Sequence, residues 1–178
     1  MKGDVSRAQA AATAAAEQQL AVFRVAGAEY AIDIMRITEI IRPQKVTKVP
    51  RSPKVVEGII NLRGKVIPVV DMRRRFGLGH EEGEARKARV IIVSIAGRLV
   101  GVSVDEVEDV IYLGPDQIEE APDTVRGAGS EYISGVGKHG DSLIIILDTA
   151  KLLTAEEIRG LDAAGGLGAL SEEPGGEP

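Results

Sequence analysis

Residues 23–41, FRVAGAEYAIDIMRITEII, read against residues 93–111, VSIAGRLVGVSVDEVEDVI, at a constant offset of 70. Ala26-Gly27 falls on Ala96-Gly97, and Ile32, Ile34 and Ile37 fall on Val102, Val104 and Val107. Glu39-Ile40-Ile41 falls on Asp109-Val110-Ile111. The agreement resumes where residues 58–71 (GIINLRGKVIPVVD) match residues 135–148 (GVGKHGDSLIIILD), now at an offset of 77. The extra residues lie in the second connector, around PDTVRGAGS. The chain is therefore an internal duplication of a unit of roughly 60–70 residues. Each copy reads strand, Gly turn, strand, helical turn, then a strand hairpin ending at Asp. A lone unit of this size buries only about 60% of its unfolded surface, so the two copies are expected to share an apolar seam.

Working outward, the pattern between Leu20 and Asp148 is all-β. Val and Ile make up 35 of those 129 residues, and β-branched side chains favour strands. Short apolar or alternating runs recur between turn residues: LAVFRV and AEYAIDI, EGIINLRG and KVIPVVD, RVIIVSI and RLVGVSV, EDVIYLG, and SLIIILD. Strands this short and regularly spaced indicate small barrels or a sandwich, in which closure removes exposed edges. Pro68 inside one run predicts an edge or a bulge there. Three short helical segments are predicted: after Asp71 and after Asp148, each Asp an N-cap, and from Thr154, where Thr154 and Glu157 have capping-box spacing. Residues 1–17 read as an Ala-rich polar tail, and residues 161–178 as a disordered Gly/Pro/Glu-rich tail.

Composition narrows the chemistry. The chain has 178 residues, 22 Lys plus Arg, 27 Asp plus Glu and a net charge of −5. That balance lacks the electrostatic footprint of a nucleic-acid binder. The absence of Cys excludes disulfides, thiolate zinc sites and a cysteine nucleophile, and fits a reducing, cytoplasmic compartment. Aromatics are 3% with no Trp, so a base-stacking platform is not expected, and the core is expected to be aliphatic. No apolar run approaches the roughly 18 residues of a spanning helix, so direct membrane insertion is not expected.

No catalytic constellation emerges. His80 and His139 lie in predicted loops without metal-ligand spacing, so no metal or cofactor is expected. Gly137-Lys138 resembles the end of a phosphate loop, but His139 stands where Ser or Thr is needed and Tyr132 where Gly is needed. The carboxylates Asp105, Glu106, Glu108 and Asp109 read as a solvated strand end. Arg73-Arg74-Arg75 with Glu81, Glu82 and Glu84 reads as mixed-charge surface. Arg63 is different. Asn61-Leu62-Arg63-Gly64 stands where the second copy has Lys138-His139-Gly140-Asp141. Two readings stand at this point: Arg63 bonds the turn's own carbonyls, or it contacts a partner, since Arg is enriched at interface hot spots.

The segments EYAIDIMRITEI, EGIINLRGKVIPVVD, VGVSVDEVEDVI and the closing hairpin to LDTAKLL resemble the CheW family of bacterial chemotaxis coupling proteins, over roughly residues 18–160. The resemblance implies two SH3-like five-stranded β-barrel subdomains packed side by side and interlocked, with short helices and no enzymatic activity. It implies an adaptor that couples the cytoplasmic tips of methyl-accepting chemoreceptors to the regulatory domain of the histidine kinase CheA. The work would be done in the cytoplasm at membrane-bound arrays, in which rings of alternating partners, or of CheW-like chains alone, could form. A scaffold of a non-flagellar pathway (twitching motility or second-messenger control) is the alternative within the family. A small catalytic or ligand-binding β protein is the alternative outside it. Carried over by position, the kinase-facing surface implied is Ala21, Ile34 and Ile37 with Glu39, on the first barrel. The receptor contact implied is Asn61, Arg63 and Val110, in a groove near the seam. Ile32, Ile34, Ile37, Ile40 and Ile41 are either an exposed aliphatic patch or core.

Overall fold

The computed structural model describes residues 17–78, 86–122 and 131–163. Among these residues the strands are β1 (Gln18–Val25), β2 (Ala28–Asp33), β3 (Ile37–Ile41), β4 (Val56–Leu62), β5 (Lys65–Asp71), β6 (Arg89–Ile95), β7 (Arg98–Val104), β8 (Glu106–Leu113), β9 (Ile118–Glu120), β10 (Ile133–His139) and β11 (Ser142–Leu147). Helices α1 (Met72–Arg75) and α2 (Ala155–Ala163) and short 3-10 turns complete the chain. The expected tail of residues 1–17 lies, except for Glu17, outside the described residues, as do His80, Glu81, Glu82 and Glu84.

The strands form two sheets, β8-β1-β2-β11-β10-β9 and β3-β6-β7-β5-β4, which is the expected all-β architecture of two side-by-side subdomains. Under the duplication the order β8-β1-β2-β11-β10 maps strand for strand onto β3-β6-β7-β5-β4. Each sheet therefore takes one hairpin from one copy and its remaining strands from the other. The joints between copies are the antiparallel pairs β1–β8 and β3–β6 and the parallel pairs β2–β11 and β5–β7. Neither sheet is complete within one copy. Even β9, which pairs Glu119 with Val136, has a counterpart in the isolated bridge Thr47–Ile59, in which Ile59 stands 77 positions before Val136.

Local sequence explains the hairpins. Ala26-Gly27 and Ala96-Gly97 have φ of 51° and 83°, and 52° and 79°. Positive φ at both central residues is the type I′ pattern that matches strand twist. Gly58 and Gly135 sit at register shifts against β5 and β11. A Cβ on Gly58 would lie 2.4 Å from the Thr47 carbonyl oxygen, and one on Gly135 would lie 2.8 Å from that of Glu119. Bare backbone there lets a third strand approach. Pro68 is not on an edge strand, because β5 lies between β4 and β7. The β7 ladder begins only at Val69, so the missing proline N–H removes no bond to β7. All three predicted helical segments form. Asp71 accepts from the Arg73 N–H at 2.9 Å and Asp148 from the Ala150 N–H at 3.0 Å. The Thr154–Glu157 box closes with bonds of 2.7 and 3.1 Å.

The core has three parts. Leu20, Val22, Ala31, Leu113, Ile144 and Ile146 fill one sheet, and Ile60, Ile67 and Val69 fill the other. The largest cluster is the seam, from Phe23, Val25 and Ile32 through Val70, Met72 and Ile91 to Leu152 and Leu153. The aliphatic expectation holds for most of it, with Phe23, Tyr30 and Tyr132 as the buried exceptions. Four of the five aromatic residues stack in series across the seam: Phe23 on Tyr30 at 5.9 Å, Tyr30 on Phe76 at 4.4 Å, and Phe76 on Tyr132 at 5.7 Å. Aromatics are few, so they went where the two sheets meet and large rigid area fills most space. Burial, reinforced by the neighbouring Tyr132, pushes the Tyr30 phenol above its ordinary value. The C-terminal boundary also moves. The tail expected from residue 161 begins inside α2, whose Leu161 is buried in the seam; residues 164–178 lie outside the described residues.

Candidate functional site

The charged segments read as plain surface are struts. Arg73 makes a bidentate contact with Asp105 (3.0 and 2.7 Å), and Asp105 also accepts from the Ala26 N–H at 2.8 Å. Helix α1 and the first hairpin turn, which lead to different sheets, are thereby tied to one carboxylate. Arg74 faces Asp71 at 3.5 Å. Arg75 reaches Glu157 at 2.6 Å and the Leu152 carbonyl at 3.0 Å, above the Tyr132 ring. Burial disfavours the Glu157 carboxylate, but the Thr154 amide and Arg75 outweigh it and hold its pKa below the ordinary value. Arg24 bonds Glu108, which raises the arginine's pKa. The solvated strand end is thus corrected for Asp105 and Glu108, and the mixed-charge surface for Arg73, Arg74 and Arg75; Asp109 is exposed.

The implied site residues divide differently from expectation. Ala21 is 2% exposed on β1, in register with Ile32 on one side and Val110 on the other. Its methyl cannot meet a partner; the register shift next to it sets Val22 of β1 against two residues of β8, Glu108 and Asp109. Val110 is 42% exposed on β8. Two residues on, Tyr112 shares its face at 57%. Ile34 and Ile37 are half-buried, and Ile37 packs on the seam. Of the five isoleucines weighed as patch or core, Ile32 is core and Ile40 exposed, with Ile34, Ile37 and Ile41 half-buried.

Glu39, Asn61 and Arg63 come together. The Asn61 carboxamide oxygen accepts from the Gly64 N–H at 2.8 Å, closing the β4–β5 turn. Arg63, at φ 51°, occupies the first central position, and its guanidinium donates to the Glu39 carboxylate. That pairing raises the arginine's pKa. Arg63 therefore does not bond the turn's carbonyls; Asn61 supplies the turn chemistry. Nor does the cluster sit at the seam. The hairpin's base, Val56 and Val70, belongs to the seam, whereas Leu62 near the tip packs on the small separate cluster. Seven-residue strands put the two ends about 20 Å apart.

Sequence reading missed Met35, 85% exposed in the 3-10 turn between β2 and β3. The signal was present in the repeat. Met35 aligns with Asp105, and Ala150 with Arg73, so the position equivalent to the Arg73–Asp105 strut holds an exposed thioether and an alanine. No helix among the described residues is long and apolar enough to cross a membrane.

The CheW-like domain model matches residues 19–157. The chemotaxis protein CheW of Klebsiella aerogenes is 34% identical over 148 residues, 82% of this chain and 87% of that protein. That of Bacillus subtilis is 37% identical over 139 residues, 78% and 88%. The crystal structure of the scaffolding protein TtCheW from Thermoanaerobacter tengcongensis superposes with a TM-score of 0.72 at 36% identity, covering 79% of this chain and 94% of that one. With two exchanged copies, the Asn61-Arg63 turn and matches across most of its length, the chain belongs to the CheW-like family.

Proposed function

We propose that the chain is a chemotaxis scaffold that couples chemoreceptor cytoplasmic tips to the regulatory domain of the CheA histidine kinase through interfaces alone, without a catalytic step, in the cytoplasm at membrane-bound arrays. One observation carries the reading. Arg63 keeps a charged side chain in a left-handed turn position where the second copy has Gly140, and pairs it with Glu39 on an exposed face. A residue held against its backbone preference and bonded through its side chain alone is a recognition element. The exposed apolar side chains of Met35, Ile40, Val110 and Tyr112 add the adaptable hydrophobic area such interfaces use. Met35 and Ile40, on either side of Ile37 and Glu39, form the kinase-facing part, with Ile34. Asn61, Arg63 and Val110 form the receptor-facing part.

The test is reconstitution of receptor–kinase arrays with purified Arg63→Gly and Met35→Asp chains, each verified as folded. Receptor-controlled kinase activity is expected to be lost with Arg63→Gly and weakened with Met35→Asp. Full control by both variants would overturn the reading.

A further inference from the structure

The connector between β3 and β4 carries Arg42, Lys45, Lys48, Arg51 and Lys54 and no carboxylate. All five are exposed. Among the described residues none pairs with a carboxylate, whereas Arg24, Arg63, Arg73, Arg74, Arg75 and Arg98 all do. The fold does not require this charge. The matching connector of the second copy, residues 112–132, has Asp116, Glu119, Glu120, Asp123 and Glu131 against Arg126 alone. The same backbone role is thus met with opposite charge, so the basic strap answers to something other than folding.

Arg51 sharpens the point. Val49-Pro50-Arg51-Ser52 is a turn in which the Ser52 hydroxyl donates to the Val49 carbonyl at 2.9 Å, and Arg51 has φ 61°. With Pro second, the third position of such a turn is the place for Gly or Asn. An arginine accepts the left-handed conformation there at a cost, and its side chain donates to no carboxylate among the described residues. Helix α2 ends beside this turn: a Cβ on Gly160 would lie 3.0 Å from Pro53 Cγ, and Pro53 is two residues from Arg51. The helix's own acids do not neutralise the strap: Glu157 is bound to Arg75 and Asp162 to Arg98, and among the described residues Glu156 forms no ion pair with the strap's five cations. Residues 164–178, which follow Ala163, contain Glu172, Glu173 and Glu177 and no Lys or Arg. Nine chain steps separate Ala163 from Glu172. Fully extended they span about 30 Å, and as a Gly-rich coil about 17 Å.

We infer that the acidic segment 171–177 (SEEPGGE) of this chain docks on its own basic strap, Arg42 to Lys54, as an intramolecular electrostatic ligand. Tethering gives the glutamates a local concentration in the millimolar range, enough for a contact of several weak ion pairs. The contact is screened as the Debye length falls from about 10 Å at 0.1 M salt to about 3 Å at 1 M. Because Thr47 bridges to Ile59, the strap runs alongside the strand that carries Asn61 and leads into the turn at Arg63. On the reading under Proposed function, the docked segment would compete with an acidic partner for that face.

The absence of Cys makes the test direct. A spin label on Ser171→Cys of the full chain, with amide intensities followed by NMR at about 50 mM salt, is expected to bleach the amides of residues 45–54 selectively. The intensity is expected to return at about 500 mM salt, with Glu172→Gln/Glu173→Gln/Glu177→Gln in the tail, and with Arg51→Gly. Uniform bleaching, bleaching on another face, or bleaching indifferent to the glutamates would overturn the inference. Bleaching of an isotope-labelled, unspin-labelled chain mixed with spin-labelled chains would overturn it in favour of docking on a second copy. None of these readouts involves receptor or kinase, so the scaffold reading stands or falls separately.

Discussion

The Arg63 guanidinium, at the tip of the β4–β5 hairpin, donates to the Glu39 carboxylate in the middle of β3. These strands lie at opposite edges of one sheet, in the order β3-β6-β7-β5-β4. A link between the two edges means that the sheet curls far enough for an arginine and a glutamate side chain to span them. On the proposed function, the same bond joins a residue of the kinase-facing part to one of the receptor-facing part, and the two would share a wall.

Replacing Arg63 with Gly separates recognition from folding. Gly accepts φ near 51° without strain, so the midpoint of denaturant unfolding is expected to be unchanged or slightly raised. Binding to a receptor fragment is expected to fall by an order of magnitude or more, as for loss of an interface arginine. Titration calorimetry beside an unfolding curve checks both halves.

Asp105→Ala removes the acceptor shared by Arg73 and the Ala26 N–H. Two charge-assisted bonds and a cross-seam tie are lost, and a largely buried arginine, 12% exposed, is left with less compensation. A loss of about 2–3 kcal/mol is expected, measured by urea unfolding. The double variant Arg73→Ala/Asp105→Ala is expected to lose less than the sum of the two single losses.

Glu157 makes stability depend on acid. Its pKa is lowered in the folded protein from an ordinary value of 4.5. Its contribution is therefore complete above that value and is lost as pH falls through the lowered folded pKa. Glu157→Gln keeps capping-box geometry but drops the charge facing Arg75. A loss of about 1–2 kcal/mol at neutral pH is expected, together with a shallower fall in stability below pH 4.5. Thermal unfolding across a pH series checks the slope.

Gly58 and Gly135 occupy equivalent bulges. A methyl on Gly58 would overlap the Thr47 carbonyl oxygen at 2.4 Å and Val46 Cγ1 at 2.6 Å; on Gly135 it would meet the Glu119 carbonyl oxygen at 2.8 Å. Both Ala variants are expected to destabilise by about 1–3 kcal/mol, Gly58→Ala more than Gly135→Ala. Unfolding midpoints of the two variants, compared directly, test the ranking.

Much of this protein is written locally. Alternation in KVIPVVD and RLVGVSV marks strands, Ala-Gly pairs set type I′ turns, Asp71, Asp148 and Thr154 cap their helices, and the offset of 70 exposes the duplication. Each of these depends only on neighbours along the chain. Two strands lack a local mark: ITEII in β3, which follows a 3-10 turn without a break, and the three-residue β9. The Asn61–Gly64 turn bond was legible for the same reason as the caps, since donor and acceptor lie three residues apart. What only the tertiary structure decided is pairing. A period of two tells which face of a strand is apolar but not which strand lies beside it, so the exchange of hairpins between copies had no trace in either copy. The aromatic series across the seam, the burial of Ala21, the Arg73–Asp105 tie and the reach of Arg63 to Glu39 all follow from that exchange. The Arg63–Glu39 and Arg73–Asp105 pairs span 24 and 32 positions; over such distances hydrophobic burial is strong but carries no address, and only the closed fold supplies one.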